Sequence, residues 1–150
     1  MPQIETKYFG SVPYEAGSVI EFPAGLPGFE SEHRFLPIEI ESYRPLVFLQ
    51  SLADRGLCFL TMPVAAVDPQ YRLEVTAEDL AVLGLGRQTT PAPGVLCLAV
   101  VTVSEDAITA NLLAPLVVNL ANRRGVQAIR PEPSYSHQHR LEPAEVAACS

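Results

Sequence analysis

The sequence predicts a mostly-β single domain, with many short strands closing as a barrel or sandwich and one short helix near residues 77–83. Three observations carry this. Fourteen prolines and nine glycines are spread over 150 residues, and both residues punctuate regular structure. Between them lie short segments rich in Val, Ile, Leu, Phe and Tyr, the composition of strands. Only TAEDLAVLG, at 76–84, has both a helix start and a helix stop. We expect a β domain over residues 1–141 and a polar tail, EPAEVAACS at 142–150, that is frayed or disordered.

The elements follow in order. SVIEF (18–22) alternates, with Ile20 and Phe22 on one face and Val19 and Glu21 on the other. FLPIEIE (35–41) places Glu39 and Glu41 on one face and turns Ile38 and Ile40 towards a core. PLVFLQS (45–51) and GLCFLTMP (56–63) are candidate neighbours across the turn ADRG (53–56). YRLEV (71–75) sets Tyr71, Leu73 and Val75 against Arg72 and Glu74, as a strand would. The helix opens on Thr76 as N-cap, with Asp79 three residues later in a box-like arrangement. Its apolar stripe is Leu80 and Leu83, and Gly84 supplies the C-terminal stop.

VLCLAVVTV (95–103) is apolar on both faces and reads as a central strand. ITANLLAP (108–115) follows, with Asn111 expected to satisfy backbone groups at a bend and Pro115 to end the pairing. In LVVNLANRRGVQAI (116–129), NRRG at 122–125 marks a hairpin turn. Leu116, Leu120 and Arg123 also fit helical spacing, and we prefer the hairpin.

Composition narrows the function. The net charge of −7 repels phosphate backbones, which disfavours direct nucleic-acid binding and suits a basic partner. No apolar run is long enough to span a bilayer, and the N-terminus lacks a secretory leader, so we expect a cytosolic protein without membrane attachment. Cys58, Cys97 and Cys149 have no metal or redox spacing; Cys58 and Cys97 lie in apolar runs and read as buried free thiols.

Catalytic chemistry finds no assembled set. His137 and His139 would share a strand face, but no third ligand has compatible spacing, so no metal is expected. His33 sits among loop charges. Ser51 lacks a nucleophile elbow and a local base. Glu39 and Glu41 read as a charged strand surface. No phosphate-binding fingerprint occurs, and no cofactor is expected. The balance favours a binding protein over an enzyme.

One stretch is distinctive. FPAGLPGFE (22–30) combines Phe22, Leu26 and Phe29 with Pro23, Gly25, Pro27 and Gly28. Proline and glycine set the path of the chain, and large apolar side chains favour burial. It reads as a shaped, packed loop.

Several stretches together resemble the bacterial flagellar assembly factor FliW family. TKYFGSV (6–12) looks like an opening strand, and IEFPAGLPGFE (20–30) resembles the most recognisable signature. FLQS (48–51), VDPQYRLEV (67–75), EDLAVLG (78–84) and TANLLAPLVVNLANRRGVQAI (109–129) follow in the family's order. The resemblance covers about residues 4–141 and rests on order and spacing.

The resemblance implies a β-barrel-like, non-enzymatic cytoplasmic protein that binds flagellin and the translational repressor CsrA. Flagellin would occupy it and leave CsrA free to repress; export of flagellin would reverse this. Within that frame we assign partner contact to Asp68, Tyr71, Glu74, Glu78 and Asp79, which combine carboxylates with one aromatic. Phe22 and Phe29 would anchor the signature loop, which either closes one barrel end or also meets a partner. An export chaperone for flagellin without translational control is the second reading. An enzyme using surface carboxylates or the histidine pair is the third.

Overall fold

Alternation of apolar and polar residues closes this chain into a ring of seven strands. The structure is a computed structural model that describes residues 2–26, 28–73, 75–85, 94–129, 136 and 138–141. The strands are β1 (Gln3–Thr6), β2 (Gly10–Pro13), β3 (Ile20–Glu21), β4 (Arg34–Ile38), β5 (Val47–Ser51), β6 (Cys58–Pro63), β7 (Val95–Val103), β8 (Ile108–Asn119), β9 (Arg124–Gln127) and β10 (His139–Arg140). A single helical turn, α1 (Val64–Val67), precedes the predicted helix, α2 (Ala77–Leu83).

Neighbours run β8-β7-β6-β5-β4-β3-β9, and β9 returns to β8, which closes the barrel. Every pairing in the ring is antiparallel except β3 with β9, a parallel seam at Glu21 and Arg124. Closure removes the free edges that an open sheet would expose. β10 adds to β8 at His139 and Arg140.

Two cores result. Ile20, Phe35, Leu49, Leu98, Leu116 and Val118 come from strands around the ring and fill the barrel with Phe22 and Leu26. Cys97, Ala99 and Val117 point the other way, into a second core with Met62, Tyr71, Leu73 and Leu83. β7 is thus buried on both faces at Cys97, Leu98 and Ala99, as its continuous apolar run predicts. The outer face of β6 to β9 is covered by α2 and the 64–73 segment.

Several expectations need correction. TKYFGSV is not one strand: its residues 7–9 turn between β1 and β2. Thr6 Oγ1 accepts from the Phe9 N–H at 2.8 Å and donates to the Gly10 carbonyl at 2.9 Å. Phe9 then rests edge-on to Phe48 at 5.2 Å, which seats the hairpin on the barrel. β4 ends at Ile38, and a turn of 3-10 helix at Glu41–Tyr43 leaves Ile38 and Ile40 half-buried, while Phe35 fills the core. YRLEV forms no strand over 71–73; Tyr71 and Leu73 still alternate inward, with Arg72 exposed. The hairpin of β8 and β9 prevails over a helix, and Arg123 takes a left-handed φ of 58° in its turn.

Pro115 does not end the strand. Pairing of β8 with β7 breaks between Asn111 and Leu116 and then resumes. The missing proline N–H falls in that gap, where the β7 ladder asks for no donor. The Pro115 carbonyl accepts from the Ala128 N–H at 2.8 Å. Asn111 behaves as expected: its Oδ1 accepts from the N–H groups of Leu113 and Ala114 at 3.1 and 3.0 Å. The expectation for the tail at 142–150 lies outside the described residues.

Candidate partner-binding surface

Local chemistry builds α2 as the sequence predicts. Thr76 Oγ1 accepts from the Asp79 N–H at 3.1 Å, satisfying one of the helix's unpaired donors. Glu78 and Asp79 sit in the first turn, where carboxylates complement the helix dipole. Leu80 and Leu83 are buried, and Gly84 adopts φ 70° and stops the helix. Nothing in the local pattern announces how the far end is held. The Leu83 carbonyl accepts from Asn119 Nδ2 and from Asn122 Nδ2, each at 2.9 Å. Two asparagines from the end of β8 and its turn thus clasp the helix to the barrel.

The predicted contact residues part company. Glu78 is exposed and Asp79 half-buried on α2. Asp68 is half-buried, and its Oδ1 accepts from the Gln70 N–H at 2.9 Å, shaping a turn. That turn sends Tyr71 inward: it is 7% exposed, and its hydroxyl donates to the Leu112 carbonyl at 2.6 Å. Tyr71 is therefore a core residue, and its side chain is not a surface anchor. The amphipathic tyrosine suits either place, and the carbonyl at Leu112 decides it. Glu74 lies outside the described residues.

The signature loop is anchored at one end. Phe22 is fully buried, with the Phe35 ring edge-on at 5.7 Å. Its N–H donates to the His33 carbonyl at 2.7 Å, and its carbonyl accepts from Gly25 at 2.8 Å. Gly25 holds φ 69°, and a Cβ there would stand 2.5 Å from the Glu30 carbonyl oxygen. Glycine is required on both counts. Gly28 also has positive φ, 85°, but open space around it. Leu26 is buried and pairs with Phe29 in an isolated bridge. Phe29 departs from the expected second anchor: it is 40% exposed and rests edge-on against Phe59 at 5.4 Å. Pro23 is exposed, and Pro27 lies outside the described residues.

The structure brings the loop and the helix together. Gly25, Glu30, Asp79 and Gly125 border one cleft of about 230 Å³. Glu30, the last residue of the signature, joins Asp79 there as a second carboxylate. Sequence spacing could not pair residues so far apart.

The residues weighed for catalysis have structural surroundings. Ser51 is fully buried; its hydroxyl donates to Glu32 at 2.8 Å and accepts from the N–H groups of Ala53 and Asp54. His33 Nδ1 lies 3.1 Å from the Phe22 carbonyl. Glu39 and Glu41 are exposed, His139 lies on β10, and His137 and Cys149 fall outside the described residues. Among the described residues no cluster of three metal-ligating side chains occurs. Cys58 and Cys97 are free, but only Cys97 is buried as expected; Cys58 is half-buried. Burial pushes the Cys58 thiol up to about 11 and the Cys97 thiol up to about 12. Among the described residues no helix is long and apolar enough to cross a membrane.

A closed barrel with one short clasped helix and a carboxylate-bordered cleft between helix and loop defines a small structural class. Comparison with known proteins narrows it. The FliW protein family model matches residues 3–141. The chain is 34% identical over 147 residues to the flagellar assembly factor FliW of Geobacillus sp. (strain WCH70), covering 97% of this chain and 99% of that protein. It is 32% identical over 139 residues to the flagellar assembly factor FliW of Syntrophomonas wolfei subsp. wolfei, covering 91% and 86%. A crystal structure of a flagellar assembly factor FliW superposes with a TM-score of 0.82 at 31% identity, over 97% of this chain and all of that one. The chain belongs to the FliW family.

Proposed function

We propose that this chain is a flagellar assembly factor that works by binding, in the cytoplasm, and not by turnover. It binds flagellin and antagonises the translational repressor CsrA, so flagellin level sets flagellin translation. The observation that carries this reading is the family match across residues 3–141. The net charge of −7 agrees with a basic partner such as CsrA and disfavours direct contact with RNA. Glu78 and Asp79 on α2, with Asp68 and Glu74 before it, are the carboxylates we assign to that partner. The cleft shared by Asp79 and Glu30 adjoins them on the loop side. Tyr71, buried with its hydroxyl on the Leu112 carbonyl, takes no part in that contact.

The test is capture of partners from native cytosol with the tagged full chain, read by mass spectrometry, with and without a block in flagellin export. The expected result is recovery of both flagellin and CsrA, with CsrA displaced under the block. Flagellin alone would make the chain an export chaperone without translational control. Recovery of neither would overturn the binding role.

A further inference from the structure

Three arginines converge at the seam of the barrel. On the outer face, Arg34 of β4, Glu21 of β3 and Arg124 of β9 stand side by side. Glu21 is in register with Arg34 on one flank and with Arg124 on the other, and all three are exposed. Residues in register on adjacent strands share a face. Arg123 joins them from the β8–β9 turn, held at φ 58°. Together they line a groove of about 400 Å³, with Val19 among its apolar walls. The chain has only ten lysines and arginines against seventeen acidic residues. Three of those ten in one groove, against a single carboxylate, reverse the local sign. Among the described residues, none of these arginine side chains makes a hydrogen bond or an ion pair.

We propose that this groove binds a carboxylate-bearing segment of a partner protein, an acidic peptide gripped by Arg34, Arg123 and Arg124. A guanidinium presents a planar fork that takes a carboxylate through two parallel hydrogen bonds. Three such forks around one groove can hold more than one acidic side chain. A short acidic segment fits this setting better than a nucleic acid: the remaining surface is acidic, and an extended phosphate backbone would leave the groove and run along it. Glu21 occupies the position between Arg34 and Arg124 and so competes with the incoming carboxylate. The groove is opposite in sign to the α2 carboxylates and adds a second binding face to the function proposed above.

The test uses the full chain and a fluorescein-labelled tetraglutamate peptide at low ionic strength, read by anisotropy. Binding is expected, weakening with added salt. Arg34→Gln with Arg124→Gln should weaken it by at least about tenfold, since each change removes a charge-assisted pair to the bound carboxylates. Arg123→Gly is a second variant: it removes a cation while relieving a left-handed residue, so its fold is secure. Glu21→Gln should shift affinity the other way, by about threefold, an effect that a merely structural role for the arginines would not produce. Absence of binding to the unaltered chain, or equal binding by the arginine variants, overturns the proposal. An oligouridine that binds more tightly than the peptide and is lost in the same variants also overturns it, in favour of RNA.

Discussion

Gly125 on β9 lies against the ring of Phe22, so closely that a Cβ at residue 125 would stand 2.6 Å from Phe22 Cε1. Phe22 has no room to yield, since it is fully buried with Phe35 at its edge. Gly125→Ala should therefore lower stability by about 1–3 kcal/mol, as overpacking does in a filled core. The check is a urea titration. Phe22→Leu combined with Gly125→Ala should cost less than the sum of the two single changes, because Phe22→Leu vacates the space that the new Cβ at residue 125 invades. Strict additivity would count against this contact.

The two signature glycines separate two effects. Gly28→Ala meets only the penalty for positive φ, about 1 kcal/mol. Gly25→Ala meets that penalty and a collision with the Glu30 backbone, which no side-chain rotation relieves. Thermal melts of the two variants should rank them clearly, with Gly25→Ala the lower. Equal melting temperatures would mean that the loop shifts freely around residue 25.

Helix α2 is held at both ends, by different means. Thr76→Ala should cost about 1 kcal/mol through the lost cap. Asn119→Ala and Asn122→Ala each remove one of two donors to the Leu83 carbonyl. Either single change leaves that carbonyl bonded, so the pair together should cost more than the two changes added. Amide hydrogen exchange across residues 77–85 reads this directly.

The buried Cys97 thiol gives a pH dependence with a definite sign. The Cys97 thiol titrates ordinarily near 9 and is raised to about 12 in the folded chain. Between those values an unfolded chain releases its proton while the folded chain retains it, so stability falls as pH rises from 9 towards 12. Below pH 9 the contribution is constant. Cys97→Ala should flatten that alkaline decline relative to the unaltered chain, in denaturant titrations at pH 8 and pH 10. At neutral pH, Cys97 should react with iodoacetamide far more slowly than a solvent-exposed thiol.

Charge on α2 bears on the proposed partner. Glu78→Lys with Asp79→Lys should slow association with CsrA by about tenfold at low salt, with a smaller effect on dissociation. Stopped-flow mixing at two ionic strengths distinguishes the two rates. Unchanged association kinetics in a folded variant would falsify this placement.

What the sequence discloses depends on how local each cause is. α2 is legible because its cap, stripe and stop all lie within nine residues, Thr76 to Gly84. The double burial of β7 is legible because VLCLAVVTV offers no polar face over its first half. Tyr71 is not legible as core, since its hydroxyl answers to a carbonyl at Leu112, forty-one positions away. The passage of β8 through Pro115 is hidden for a similar reason: only the gap in its pairing with β7 removes the need for a donor there. Phe29 reads as a second anchor from composition alone, yet the turn at Gly28 leaves it on the surface beside Phe59. The cleft between Glu30 and Asp79, and the row of Arg34, Glu21 and Arg124, are products of ring closure and have no signature in local spacing.

The parallel seam that joins Glu21 to Arg124 also governs when the molecule can come into being. A ribosome delivers β3 early and β9 more than a hundred residues later. The meander from β4 to β6 can pair as it emerges, because its partners are adjacent in the chain. The seam must wait until β9 has emerged, and its contact joins residues about a hundred positions apart, which makes closure the slow, non-local step. Until then Ile20 and Phe22 lie at an unzipped edge. A nascent chain stalled before β9 would present that edge to chaperones and proteases, and the last strand of the ring works as a timer for maturation.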